Sequence, residues 1–216
     1  RSAIEEKTND IKQDGFWNFF SFQRFGTPRL LSHRLGRLLV KGDYEGVVKT
    51  FVTHTTPREL PYFKNIRNEV AEVWGNWEKI KEQIARFPYH FSLELQLINY
   101  LVGNPRDFVG ALKMIPDQIR LWIYAYDCYL FNRKLSEHIR AGDVPVKLPL
   151  ATSFNPLDWE PYKGFLEEDD VKLPSSSYRD FPFVRVASRM WPTIQNAELH
   201  GAAFQEQLAI FAFSLP

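Results

Sequence analysis

The chain has 216 residues, 44% of them hydrophobic and 33 aromatic (18 Phe, 9 Tyr and 6 Trp), enough to build the core of one large domain or of one domain carrying an insertion. Lys and Arg number 27 against 26 Asp and Glu, a net charge of +1, so a nucleic-acid or membrane partner would have to be met by a local patch rather than by the overall field. Cys128 stands alone, which excludes an intramolecular disulfide, and Cys/His spacing of the zinc-finger kind is absent; a reducing, cytoplasmic setting is expected. No apolar run reaches the roughly 18 residues of a membrane span, so no membrane partner is expected. The opening RSAIEEKTND has neither signal-peptide character nor an initiating Met, which predicts a soluble chain cut at its front end.

Residues 1–14 are polar apart from Ile4 and Ile11 and predict a linker or short helix. From Gly15 to Gly26 the chain reads G-F-W-N-F-F-S-F-Q-R-F-G, a dense aromatic cluster bracketed by glycines. Leu31, Leu35, Leu38 and Leu39 then recur at helical spacing while Arg34, Arg37 and Lys41 share another face, predicting an amphipathic helix closed by Gly42. Asp43 is a plausible N-cap for a second helix over 44–52, the two forming a hairpin across the Gly42-Asp43 turn. Beyond a Thr/Pro loop at 53–61, Ile66, Val70, Val73, Trp74, Trp77, Ile80 and Ile84 trace one apolar stripe, which predicts a single long helix.

Helical character continues over 93–102 and 108–114, each segment ended by a proline signal. A long aromatic-rich helix follows over 118–139, with Gly142 as its C-cap, and should be buried on most sides. Then the texture changes. Val144, Val146 and Leu148 alternate with other residues, and 208–213 is a short apolar run, both predicting strands. The acidic run Glu167-Glu168-Asp169-Asp170 and the tract Ser175-Ser176-Ser177 read as solvated loops. The sum is an α+β fold with a helical module set into a mixed-sheet domain.

The aromatic cluster carries a more specific signal. Asn18-Phe19-Phe20-Ser21-Phe22-Gln23-Arg24-Phe25-Gly26 resembles the N-[YF]-F-G-x-Q-R-F-G signature of the tRNA pseudouridine synthase D (TruD) family, departing from it at Ser21, where the family usually has Gly. The order of later motifs is similar as well: His33-Arg34-Leu35-Gly36-Arg37, the Gly42-Asp43 turn, and Ala125-Tyr126-Asp127-Cys128-Tyr129-Leu130-Phe131-Asn132 against the family's A-[YF]-Q-S-x-L-F-N. Phe213-Ser214-Leu215-Pro216 is similar to the family's F-x-L-P. The resemblance implies the synthase's mixed-sheet catalytic fold, present in part, interrupted by an all-helical TRUD insertion. The boundaries expected are 1–35 and 111–216 for the catalytic domain and 36–110 for the insertion.

The resemblance further implies isomerisation of uridine to pseudouridine in RNA, typically at uridine 13 of tRNA, with no metal or organic cofactor. In the family an aspartate acts covalently on a flipped-out nucleotide. By the same resemblance Asn18 would position that aspartate and Phe20 would pack against the target base. The aspartate belongs to a G-x-K-D motif upstream of the signature, and nothing in residues 1–14 matches it. The expectation is therefore a chain that cannot catalyse alone, completed by a missing N-terminal portion or a second polypeptide.

Arg24, Arg29, Arg34, Arg37 and Lys41 form a stretch without an intervening acid, with His33 among them, and phosphate contact competes there with a solvated helix face. The candidate substrate-binding set is Phe20, Arg24, Phe25, His33, Arg34 and Arg37. Cys128 reads as a small buried hydrophobe rather than a nucleophile, and Asp127 as needing an exposed face or an Arg partner such as Arg133. Two other functions stay open: a noncatalytic RNA-binding module on the synthase frame, and a helical protein-interaction domain built on 36–110.

Overall fold

The computed structural model describes residues 6, 17, 19–143 and 160–172, together with short strands at 147–149, 178–180, 185–187 and 196–198. A 3-10 turn at Phe22–Phe25 leads into α1 (Ser32–Lys41), whose Leu35 and Leu39 are buried while Arg34 and Arg37 face outward. Gly42 ends α1 at φ 82°, a left-handed conformation that favours glycine, and its N–H returns to the Leu38 and Leu39 carbonyls. Asp43 caps α2 (Tyr44–Thr53) by accepting from the Gly46 N–H at 2.8 Å. The helical hairpin expected at Gly42-Asp43 is thus present, cap for cap.

The stripe from Ile66 to Ile84 does not make one helix. It makes α3 (Pro61–Glu72) and α4 (Trp77–Ile84), broken where Gly75 turns to φ +92° and Asn76 caps the new helix by accepting from the Lys79 N–H at 3.2 Å. Both halves point apolar residues at the same core, so periodicity alone runs straight across the break; the Gly-Asn pair is the local stop-and-restart signal. After α5 (Ser92–Gly103) and the short α6 (Phe108–Leu112), α7 (Pro116–Ala141) runs through the centre of the described residues and stops at Gly142, φ 72°.

Helix α7 is buried nearly all round because two apolar clusters share it. One joins α1 to α6 with Ile119, Trp122, Ile123 and Tyr124; the other gathers Tyr126, Leu130, Phe131 and Leu135 with Leu148, Tyr162, Phe165 and Leu166. Each fully buried Leu, Ile or Phe there contributes about 1.5–3 kcal/mol. The α1–α7 pairing is the most extensive helix contact among the described residues. It is close because residue 36 is glycine: a methyl built there would fall into the Trp122 carbonyl and lie 2.8 Å from the Tyr126 Cβ.

A buried ionic cluster fixes the C-terminal end of α2. Arg67 donates from Nε to Glu59 at 2.8 Å, from Nη2 to Glu94 at 2.8 Å, and from Nη1 to the Val52 carbonyl at 2.8 Å. Arg29 donates to the Phe51 carbonyl at 2.8 Å and lies 3.5 Å from Glu94. Two guanidinium groups therefore satisfy carbonyls that a helix terminus leaves open. Burial and the neighbouring Arg67 lower the Arg29 pKa to about 10.

Short strands follow α7. β1 (Lys147–Pro149), β2 (Tyr178–Asp180), β3 (Arg185–Ala187) and β4 (Asn196–Glu198) pair antiparallel, β1 with β4 and β2 with β3, Leu148 standing opposite Ala197. Leu148 is buried, as its place in an apolar alternation suggests. Val144, Val146, the run 208–213, the motif at 213–216 and Ser175-Ser176-Ser177 lie outside the described residues.

The acidic run is solvated at Glu167, Glu168 and Asp170, as expected, but it is only in part a loop and three of its acids are paired. Glu167 and Glu168 close α8 (Lys163–Glu168), and the acids turn back onto basic residues: Arg133 to Glu168 at 2.7 Å, Arg37 to Asp169 at 2.9 Å, and Lys41 to Asp170 at 3.5 Å. Opposite charges distant in sequence account for this, a pairing that local composition does not reveal.

Candidate functional site

The aromatic turn is built from both ends of the helical block. Asn132, near the middle of α7, holds the Phe20 main chain with both halves of its amide: Oδ1 accepts from the Phe20 N–H at 2.9 Å and Nδ2 donates to the Phe20 carbonyl at 2.9 Å. The Phe20 ring is half-buried, in a T-shaped contact with Phe131 at 5.3 Å between centroids, and the Arg24 guanidinium lies 5.9 Å from its centroid. Ser21 sits at φ −80°, ψ 172°, extended backbone that any residue adopts, so a side chain costs nothing where the family usually has Gly. The left-handed position of the turn is Gly26, at φ 81°, which glycine adopts without strain; Leu30, at φ 52°, is the side-chain-bearing residue held in that region before α1.

A cleft of about 470 Å³ opens beside this turn, lined by Phe20, Gln23, Arg24, Ser32, Gln118 and Leu121. On the turn's other side a groove of about 490 Å³ holds Phe19, Phe25, Tyr129, Arg133 and Arg140. The signature thus presents aromatic surface with a cation nearby on two sides, a combination suited to an unstacked base and its phosphate. Asn18 lies outside the described residues.

The remaining candidates divide. Phe25 is buried with Ala125 and Cys128 and meets His33 edge-on at 5.3 Å. His33 also stacks on Tyr129, with ring centroids 4.8 Å apart; its Nδ1 is buried and has no hydrogen-bond partner. Burial first, then the positive charges of Arg34 and Arg37, push the His33 pKa down to about 4. At neutral pH this ring is uncharged and acts through its faces. Arg34 is exposed; Arg37 is engaged with Asp169, which also accepts from the Tyr126 hydroxyl at 2.7 Å.

Arg29, read with the basic stretch, belongs instead to the buried cluster at the end of α2. Arg133 goes to Glu168 and covers the Phe165 ring at 3.9 Å rather than standing as a reserve partner for Asp127, which is itself buried. Burial, then the charge of Asp127, push the Cys128 thiol well above its ordinary range, as suits an inert buried thiol. Among the described residues no three His, Cys, Asp or Glu side chains gather as a metal site.

Asn132, which holds the turn, and Gln118, which lines the cleft beside it, are residues that residue-type reasoning passes over. Asn132 could have been found from the Leu130-Phe131-Asn132 motif, since a polar residue closing an apolar helix motif needs a partner.

The tRNA pseudouridine synthase D (TruD) family model matches residues 1–150. A Methanopyrus kandleri protein described as a probable tRNA pseudouridine synthase D is 32% identical over 94% of this chain and 54% of its own length. A Thermoplasma volcanium protein of the same description is 33% identical over 80% of the chain and 42% of its own. The fission yeast Schizosaccharomyces pombe protein described as multisubstrate pseudouridine synthase 7 is 29% identical over 68% of this chain and 21% of its own length.

Among solved structures, a Methanosarcina mazei protein described as a tRNA pseudouridine synthase D superposes with a TM-score of 0.66 at 21% identity, covering 91% of this chain and 54% of that one. The fold is therefore that of TruD, and the chain belongs to the TruD family. It spans about half the length of the Methanopyrus relative.

Proposed function

We propose that these 216 residues hold the base and dock the RNA in an enzyme that isomerises uridine to pseudouridine in tRNA, at the family-typical uridine 13. The observation that carries this reading is the two-point clamp of Asn132 on Phe20, which sets a family signature aromatic at the mouth of a cleft with Arg24 beside it. The target nucleotide swings out of its stack and its uracil lies against Phe20. The N1–C1′ bond breaks, the base turns and C5 joins C1′, the C5 proton passing to solvent as N1 gains one.

The nucleophilic aspartate comes from a segment joined to these residues or from a second polypeptide, and Asn18 positions it. Residues 36–110 form the helical insertion, and 1–35 with 111–216 belong to the mixed-sheet catalytic domain. The helices of 36–110 share one apolar core, which also takes in Leu31 and Leu35 before the first boundary and Ile115 to Tyr124 after the second, so the support for that division is the order of the family-like motifs. Among the described residues no helix is long and apolar enough to cross a membrane, and Cys128 is a free buried thiol; the cytoplasm is the proposed setting.

A pseudouridylation assay on unmodified tRNA tests this, comparing the chain with a form extended by its upstream coding sequence. Pseudouridine formed by the extended protein and lost in Phe20→Ala is the expected result. RNA binding that requires Phe20, with no modification by either form, would instead leave a binding module. Absence of RNA binding would overturn both.

A further inference from the structure

The helical block carries an aromatic surface that the signature does not use. Tyr89 is 97% exposed, Leu60 65% and Tyr62 52%, an unusual share of apolar area for rings and side chains around the start of one helix and the loop before another. Apart from Tyr89, which stands almost wholly in solvent, the rings are held. His90 stacks face to face on Phe63 at 3.5 Å, with 6° between the planes, and Tyr62 meets Phe87 edge-on at 5.0 Å. Each fixed ring therefore offers outward surface with its rotamer entropy already spent.

The charge around this surface is mainly positive, the exposed Glu69 at its border being paired with Arg86 at 3.2 Å. In 54–68 and 86–92 the acidic residue is Glu59, which is buried under Arg67, whereas Arg58 is exposed and Lys64 half-exposed. Arg58 also reaches across to the signature: its guanidinium lies 5.2 Å from the centroid of Phe22, itself 62% exposed. The aromatic and basic surface is thus continuous from the signature turn onto α3 and the loop before α5.

We infer that Phe22, Arg58, Leu60, Tyr62, Tyr89 and His90 form a second docking surface, one that takes unpaired nucleotides of the RNA away from the reacting base. The inference rests on the proposed RNA-modifying function and names how that substrate is held. Exposed π-faces recognise bases only where these are unstacked, and a duplex offers them no face, so the ligand is single-stranded RNA such as a loop or an end. Arg58 supplies the phosphate contact between the two surfaces.

Fluorescence anisotropy over a salt series tests this with the 216-residue chain, using a labelled single-stranded RNA of mixed sequence, the same sequence as duplex, and an unmodified tRNA transcript. Tyr62→Ala/Tyr89→Ala should weaken single-strand and tRNA binding by about five-fold or more per lost stacking ring, leave duplex binding unmoved and keep the salt slope. Arg58→Ala should lower that slope by about one phosphate contact. Tyr89→Ala alone, at a side chain almost wholly in solvent, keeps the fold as a control.

Wild-type affinity in the double variant, in a chain whose binding Phe20→Ala weakens, would overturn this surface and leave the proposed function standing. Reduced self-association in sedimentation with unchanged RNA affinity would also overturn it, making the face a protein contact. A wild-type chain that binds no RNA overturns both readings.

Discussion

Asn132→Ala removes the two hydrogen bonds that hold the Phe20 main chain, both 2.9 Å and partly buried. The loss leaves one donor and one acceptor to be rehydrated in a confined place, a cost of about 1–3 kcal/mol in all. For a chain of this length that lowers the melting temperature by roughly 2–12 °C. The functional effect should exceed what lost stability explains, because Phe20 is released at the mouth of the cleft while α7 itself stays helical. RNA affinity measured below the melting range should therefore fall in Asn132→Ala and in Phe20→Ala, and the double variant should lose little more than either, since both changes remove one unit. Losses that add, or an Asn132→Ala protein that melts and binds like wild type, would refute the view that Asn132 acts by positioning Phe20.

Gly36→Ala should destabilise the protein by about 1–3 kcal/mol despite alanine's better helix propensity, because its methyl meets the Trp122 carbonyl; a scanning-calorimetry melt at or above wild type would contradict the close crossing. Arg67→Met leaves Glu59 and Glu94 buried without their shared cation and should cost about 3–5 kcal/mol in urea unfolding. His33 is held at about 4, below its unfolded value, so the folded state binds fewer protons between pH about 6.5 and about 4 and stability should fall as pH drops through that window. His33→Phe should flatten this dependence in pH-resolved melts, and an unchanged slope would exclude His33 as its source.

Much of the helical plan was legible because its signals are local. Gly42 and Asp43 stop one helix and start the next in adjacent positions, and Gly142 closes α7 as a left-handed C-cap should. The stripe through Trp74 and Trp77 misleads for the opposite reason: it reports which side is buried, not whether the backbone is continuous, and the break depends on Gly75 and Asn76. What lay beyond reach was pairing at a distance. Arg29 and Arg37 look alike in sequence, yet one caps α2 from inside and the other meets Asp169, and only the fold brings those partners in. The signature turn was legible from its own residues, and Asn132 from its motif, but that Asn132 holds Phe20, 112 positions away, needed the structure.

The crossing of α1 over α7 and the tie from residue 20 to residue 132 make a closed stem from which the intervening helices project and to which they return. A block mounted this way can change its outer face while the core it shares with α1 and α7 stays as it is. The same stem, joining residues far apart in sequence, is the contact that chain entropy makes slowest to form during folding.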